Sequence, residues 1–81
     1  MFYVYILKSS KNNDIYVGST SDLDNRLKLH NSGKVRSTTA NRPWQLIEYY
    51  EFNSRSEPFR KEMFYKTGQQ KEILRKKYTA E

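Results

Sequence analysis

Apolar side chains come in short bursts along this chain, and dense polar punctuation separates them. Phe2-Tyr3-Val4-Tyr5-Ile6-Leu7 is rich in β-branched and aromatic residues and runs into Ser9-Ser10-Lys11-Asn12-Asn13-Asp14, a strong turn signal. A second strand resumes at Ile15-Tyr16-Val17. So short a connection carries no parallel crossover, so the pair is expected to be an antiparallel hairpin. Alternation puts Tyr3 and Tyr5 on one face of the first strand and Phe2, Val4 and Ile6 on the other.

Gly18 ends the second strand, and Ser19-Thr20-Ser21-Asp22 offers caps to a helix running to about Asn31. Leu23, Leu27 and His30 fall at helical spacing within it. Gly33 reads as the residue just past the helix end, where positive φ is cheap for glycine alone. Residues 34–44 are polar and hydroxyl-rich and read as a surface loop carrying Lys34, Arg36 and Arg42. Leu46-Ile47-Glu48-Tyr49-Tyr50-Glu51-Phe52 gives a third strand. Ser54 or Ser56 is then expected to cap a second helix, with Pro58 in its first turn and Phe59, Met63 and Phe64 as its buried stripe. Gly68 interrupts the helix, and residues 69–77 resume as a short basic helix carrying Ile73 and Leu74. The order β-β-α-β-α-α, with no repeat or linker to divide it, predicts an α+β fold and one domain over residues 1–81.

Composition narrows the partners. The 81 residues hold no Cys, so neither a disulfide nor a thiolate metal site supports so small a core. Aromatic residues at 15% compensate, because each ring buries a large area, and they argue against disorder. No apolar run reaches the roughly 18 residues of a membrane span, and no basic segment precedes the first strand, so a cytoplasmic protein without membrane contact is expected, with a monomer the expected state. Fifteen Lys and Arg against nine Asp and Glu give a net charge of +6. That surplus favours a polyanionic partner, since cations gain by releasing counterions from phosphates.

The usual hydrolase equipment is missing: there is one His, no GxSxG elbow, no phosphate-binding glycine loop and no cluster with zinc-like spacing. Any catalysis must use tyrosines, an arginine, the lone histidine and a carboxylate. Each has an ordinary reading when taken alone. Tyr3, Tyr5 and Tyr16 suit packing in a hairpin. Arg26 and His30, four residues apart, share a helix face that Asp24 and Lys28 equally mark as solvated. Glu62, beside Arg60, Lys61 and Lys66, suits a salt bridge.

The combination and order change that reading. Tyr3-Val4-Tyr5, ten intervening residues, then Tyr16-Val17-Gly18-Ser19-Thr20-Ser21-Asp22-Leu23, followed by Arg26-Leu27 and His30-Asn31-Ser32-Gly33-Lys34, resembles the GIY-YIG endonuclease family. Arg42-Pro43-Trp44-Gln45-Leu46-Ile47 and Glu57-Pro58-Phe59-Arg60-Lys61-Glu62, with Lys66 after them, look like the third strand and metal-binding helix of its small stand-alone bacterial members. Tyr3 stands where the first motif has its leading glycine, and Val17 where the second has isoleucine.

The resemblance implies a three-stranded antiparallel sheet flanked by helices and metal-dependent hydrolysis of phosphodiester bonds in nucleic acid, with DNA the expected substrate. It implies catalytic roles for Tyr5, Tyr16, Arg26 and His30, a backbone role for Gly18, and Glu62 as ligand of Mg²⁺ or of another divalent ion such as Mn²⁺. Lys34, Arg36, Arg42 and Lys66 are expected to contact the nucleic acid. On that reading Tyr5, assisted by Tyr16, orients and deprotonates water while Arg26 clamps the phosphate. The alternatives are a non-catalytic nucleic-acid-binding module and a small interaction domain. A carboxylate that repels phosphate unless a metal intervenes counts against the former.

Overall fold

The turn after the first strand closes on itself: the Ser9 N–H donates to the Asp14 carbonyl at 2.8 Å, and the Ser9 hydroxyl accepts the Lys11 and Asn12 N–H groups. Asn13 takes a φ of 63°, a conformation its short polar side chain tolerates. The result is an antiparallel hairpin of β1 (Phe2–Ser9) and β2 (Ile15–Thr20). The computed structural model describes residues 1–79, so Ala80 and Glu81 of the expected domain lie outside it. Next come α1 (Leu23–Ser32), a single 3-10 turn at Thr39–Asn41, β3 (Trp44–Phe52), α2 (Ser56–Tyr65) and α3 (Gly68–Thr79). The expected α+β order is the observed one.

The sheet order is β2-β1-β3, antiparallel throughout, so β1 is central and β2 lies at an edge. Val4 and Ile6 face one side with Ile15, Val17 and Leu74, and Tyr5 and Leu7 face the other with Trp44, Leu23 and Leu27. Full burial of each aliphatic side chain contributes about 1.5 to 3 kcal/mol. In β3 the register slips between its partners Ile6 and Leu7, inserting Ile47 as an extra residue. The slip lets Leu46 pack on the face of Leu7 while Ile47 joins the opposite core.

Asp22 caps α1 by accepting the Asn25 N–H at 3.2 Å, and Gly33 ends it with a φ of 85°, both as the pattern predicts. Two expectations for α2 fail. Arg55 occupies the N-cap with no side-chain cap, while the Ser54 and Ser56 hydroxyls face each other at 3.4 Å, so neither serine caps the helix. Phe59, Met63 and Phe64 are 63%, 55% and 50% exposed. The inward face instead carries Pro58, Lys61, Glu62 and Tyr65, at the i, i+3, i+4, i+7 spacing of one helical stripe. In α3 Leu74 is buried and Ile73 is half exposed. Lys77 and Tyr78 fasten that helix to Glu48 of β3.

The loop before β3 is anchored more deeply than a surface loop. Thr38 is buried, its carbonyl accepts the Trp44 indole N–H at 2.9 Å, and Trp44 opens the strand two residues earlier than expected. Asn31 grips the Trp44 backbone twice, accepting its N–H at 2.5 Å and donating to its carbonyl at 3.0 Å. No helix among the described residues is long and apolar enough to cross a membrane.

Candidate active site at the sheet edge

Gly18 lies across from Tyr5 in the hairpin, on the same face. A Cβ built on Gly18 would stand 2.5 Å from the Tyr5 hydroxyl and 2.7 Å from its Cζ, so the tyrosine occupies space that glycine alone leaves. What needs the small residue is thus the placement of Tyr5 itself. The ring is 2% exposed. Its hydroxyl meets His30 Nε2 at 2.9 Å and accepts from Arg26 Nε at 3.3 Å. One turn of α1 separates Arg26 from His30, so the helix delivers both to one point. Tyr16, half-buried, sets its ring 4.9 Å from the imidazole and 6.3 Å from the Tyr5 ring. On its far side, His30 Nδ1 meets the Thr38 hydroxyl at 2.8 Å, and that hydroxyl donates to the Val35 carbonyl at 3.3 Å.

Electrostatics follow from burial and from Arg26. Burial pushes the Tyr5 phenol above its ordinary value, with Tyr16 and Glu62 adding to the rise, and the Arg26 guanidinium partly offsets it. Burial lowers His30 from 6.5 and the neighbouring Arg26 charge lowers it further, so the imidazole is neutral at pH 7. The bond to Tyr5 in turn holds Arg26 more firmly protonated. A neutral imidazole against a phenol forms a proton-accepting pair, with a fixed cation beside it.

Glu62 approaches from the other side of the sheet. Ser19, next in sequence to Gly18, faces α2 and donates to Glu62 Oε1 at 2.7 Å, while Lys66 Nζ pairs with Oε2 at 2.6 Å. The two groups therefore flank the edge strand β2, tyrosines, arginine and histidine on one face and carboxylate and lysine on the other. They sense each other, since Glu62 raises the Tyr5 pKa and Tyr16 that of Lys66, whose rise is due first to its bond with Glu62. Lys34, Arg36 and Arg42 are exposed in the loop after α1, with the Arg42 guanidinium lying over Gly33. Lys66, unlike them, is already engaged with a carboxylate. A surface groove beside Ser19 is bounded by Phe2, Thr20, Arg55 and Phe59.

Among the described residues no three His, Cys, Asp or Glu side chains converge as a metal cluster. One carboxylate with a neighbouring hydroxyl is too little for zinc or a dedicated cage. Such a donor set does fit a hard ion that keeps most of its waters and shares substrate phosphate oxygens.

The structure brings together Tyr5, Tyr16, Gly18, Arg26 and His30, all expected from the sequence, and adds three residues that were not: Thr38 behind His30, Asn31 behind Trp44 and Ser19 beside Glu62. Asn31 lies inside the motif that follows His30, a polar residue at a helix end. Nothing distinguishes Thr38 from the hydroxyls beside it.

The chain matches the family model of the GIY-YIG catalytic domain over residues 1–78. It belongs to the GIY-YIG family. That family is one of nucleases, as the motif order implied. A UPF0213 protein of Staphylococcus haemolyticus is 38% identical over 74 residues, covering 90% of this chain and 89% of that protein. The UPF0213 protein YazA of Bacillus subtilis is 36% identical over 74 residues, covering 88% and 74% respectively. The solution NMR structure of a UPF0213 protein from Bacillus halodurans superposes with a TM-score of 0.56 at 36% identity, covering 99% of this chain and 88% of that one.

Proposed function

We propose that this GIY-YIG chain is a single-domain endonuclease that hydrolyses phosphodiester bonds in DNA with the help of one divalent ion, Mg²⁺ or Mn²⁺. The observation that carries the reading is the Tyr5 hydroxyl, held between a guanidinium and a neutral imidazole on one face of β2, with Glu62 on the other. A phenol is a poor base at neutral pH unless its proton has somewhere to go. His30 Nε2 is that destination.

Tyr16, the more exposed of the two tyrosines, orients a water. Its oxygen attacks phosphorus as Tyr5 takes the water's proton and passes its own to His30. The new P–O bond forms as the bond to the leaving sugar oxygen breaks, and that oxygen takes a proton from solvent. Arg26 stabilises charge growing on the phosphate, and its fixed orientation costs nothing at the moment of reaction. Glu62 and Ser19 would hold the ion, whose charge there would supply Lewis-acid stabilisation of the phosphate and leaving oxygen. Lys34, Arg36 and Arg42 hold the polymer by its backbone. Lys66, released from Glu62, adds a cation beside the phosphate.

The Glu62 to Lys66 pair favours one competing reading, a module that binds nucleic acid without cutting it, because the carboxylate already has a cation. Glu62→Gln separates the two. As a partly exposed ion pair it should affect stability by about 0 to 1 kcal/mol. In the nuclease reading, Mg²⁺-dependent cleavage of labelled DNA disappears while metal-free binding stays level or tightens. Parent-rate cleavage by contaminant-free Glu62→Gln protein would remove the metal site, and no cleavage by either protein would leave the binding module.

A further inference from the structure

We propose that Thr38 is a positioning residue that fixes the tautomer of His30 and so aims the Tyr5 hydroxyl proton at Nε2. The inference rests on the nuclease reading for its consequence but not for its geometry. Five groups form one line: Arg26 Nε, the Tyr5 hydroxyl, His30 Nε2 and Nδ1, the Thr38 hydroxyl and the Val35 carbonyl, with separations of 3.3, 2.9, 2.8 and 3.3 Å.

Both ends of the line have fixed polarity. A guanidinium can only donate and a carbonyl can only accept. The Tyr5 oxygen accepts from Arg26, so its own proton has one acceptor among its partners, His30 Nε2. That nitrogen must be bare, and the single proton of a neutral imidazole must sit on Nδ1. Nδ1–H then needs an acceptor, which the Thr38 oxygen supplies because its own proton points to Val35. With the other tautomer, the Tyr5 oxygen would face two N–H donors and its buried proton would have no partner, an arrangement that costs on the scale of a lost buried hydrogen bond.

Thr38 is held to this task from several sides. Its N–H donates to the Val35 carbonyl at 3.1 Å and its carbonyl accepts the Trp44 indole at 2.9 Å, while Asn31 fixes Trp44. The Ser9 hydroxyl ties the end of the same loop to the β1–β2 turn through the Asn41 carbonyl at 2.6 Å. A loop with no reacting group of its own thereby orients the proton acceptor.

The sequence contains one histidine, so nitrogen-15 imidazole spectra of the full chain at neutral pH report His30 alone. The expected parent signature is a protonated Nδ1 and a bare Nε2. Thr38→Val keeps the shape and deletes the acceptor; with Nδ1–H left unpaired it should populate the second tautomer beside the parent one, and Thr38→Ser should restore the parent pattern. On DNA, Thr38→Val should lose about a hundredfold in turnover with KM changed less than about twofold, and Thr38→Ser should recover most of it. If valine is not accommodated, Thr38→Ala carries the same comparison. A parent protein with Nε2 protonated overturns the proposal, as does a Thr38→Val or Thr38→Ala protein that keeps the parent tautomer and turnover. A parent that cuts nothing would defeat the nuclease reading alone, because the tautomer is read without substrate.

Discussion

Gly18→Ala should be far more damaging than the addition of one methyl suggests. The new Cβ would meet the Tyr5 hydroxyl at 2.5 Å, its Cζ at 2.7 Å and Tyr16 Cε2 at 3.1 Å, whereas ordinary contact begins near 3.4 Å. Tyr5 has nowhere inexpensive to go: it is buried, and its hydroxyl is held by His30 and Arg26. Overpacking together with displacement of a buried hydrogen bond costs about 2 to 4 kcal/mol. For a domain of this size that lowers Tm by roughly 10 to 30 °C, measurable by circular dichroism. Gly68→Ala is the control, since nothing lies within 4 Å of its new Cβ. The loss should shrink when Tyr5→Phe removes the nearest atom, and the two changes should couple rather than add. A Gly18→Ala protein that melts with the parent, or strictly additive losses, would refute the idea that Gly18 is there to seat Tyr5.

Arg26→Lys keeps the charge but not the planar fork, so turnover should fall by roughly 10- to 100-fold in a cleavage assay with the fold retained, while Lys28→Ala on the exposed side of α1 should be nearly silent. Equal losses at both would mean that the helix offers only diffuse charge. The folded chain binds the His30 proton less readily than the unfolded chain does, so His30 contributes stability that is complete above pH 6.5 and is lost as pH falls from there through the lowered pKa. Melting curves of the parent should show this acid-side loss and those of His30→Gln should not; turnover should fall in the same window, because a protonated imidazole accepts nothing from Tyr5. Binding to duplex DNA, followed by fluorescence anisotropy without metal, should weaken with salt at a log-log slope of roughly −3 to −5, as three to five neutralised phosphates require. Affinity indifferent to salt would exclude backbone binding.

The element order was legible because local chemistry writes it: a turn-rich run after Leu7, a capping Asp22 and a Gly33 at positive φ each act on their neighbours. The face of α2 was not. Its greasiest stripe, Phe59, Met63 and Phe64, lost to one offset around the helix, where Pro58 is buried, Glu62 reaches Ser19 and the Tyr65 hydroxyl meets that of Tyr50 at 3.2 Å. Helical period says that a face exists, and the partners decide which one. Within the candidate site, the residues legible in the sequence are those whose unusual chemistry stands at motif spacing. Thr38 and Ser19 escaped because their importance lies in partners 8 and 43 residues away, and no local pattern encodes such a meeting.

β2 has a neighbour on one side only, and its consecutive residues Gly18 and Ser19 address the two halves of the site. On the proposed reading the chemistry is therefore arranged about an edge strand, on the rim of the sheet. A polymer laid over a rim can be met at any point along its length, with no end to thread and no wall to pass. Such a placement suits scission in the interior of a chain, whereas trimming from a terminus needs a blind pocket that recognises where the chain stops.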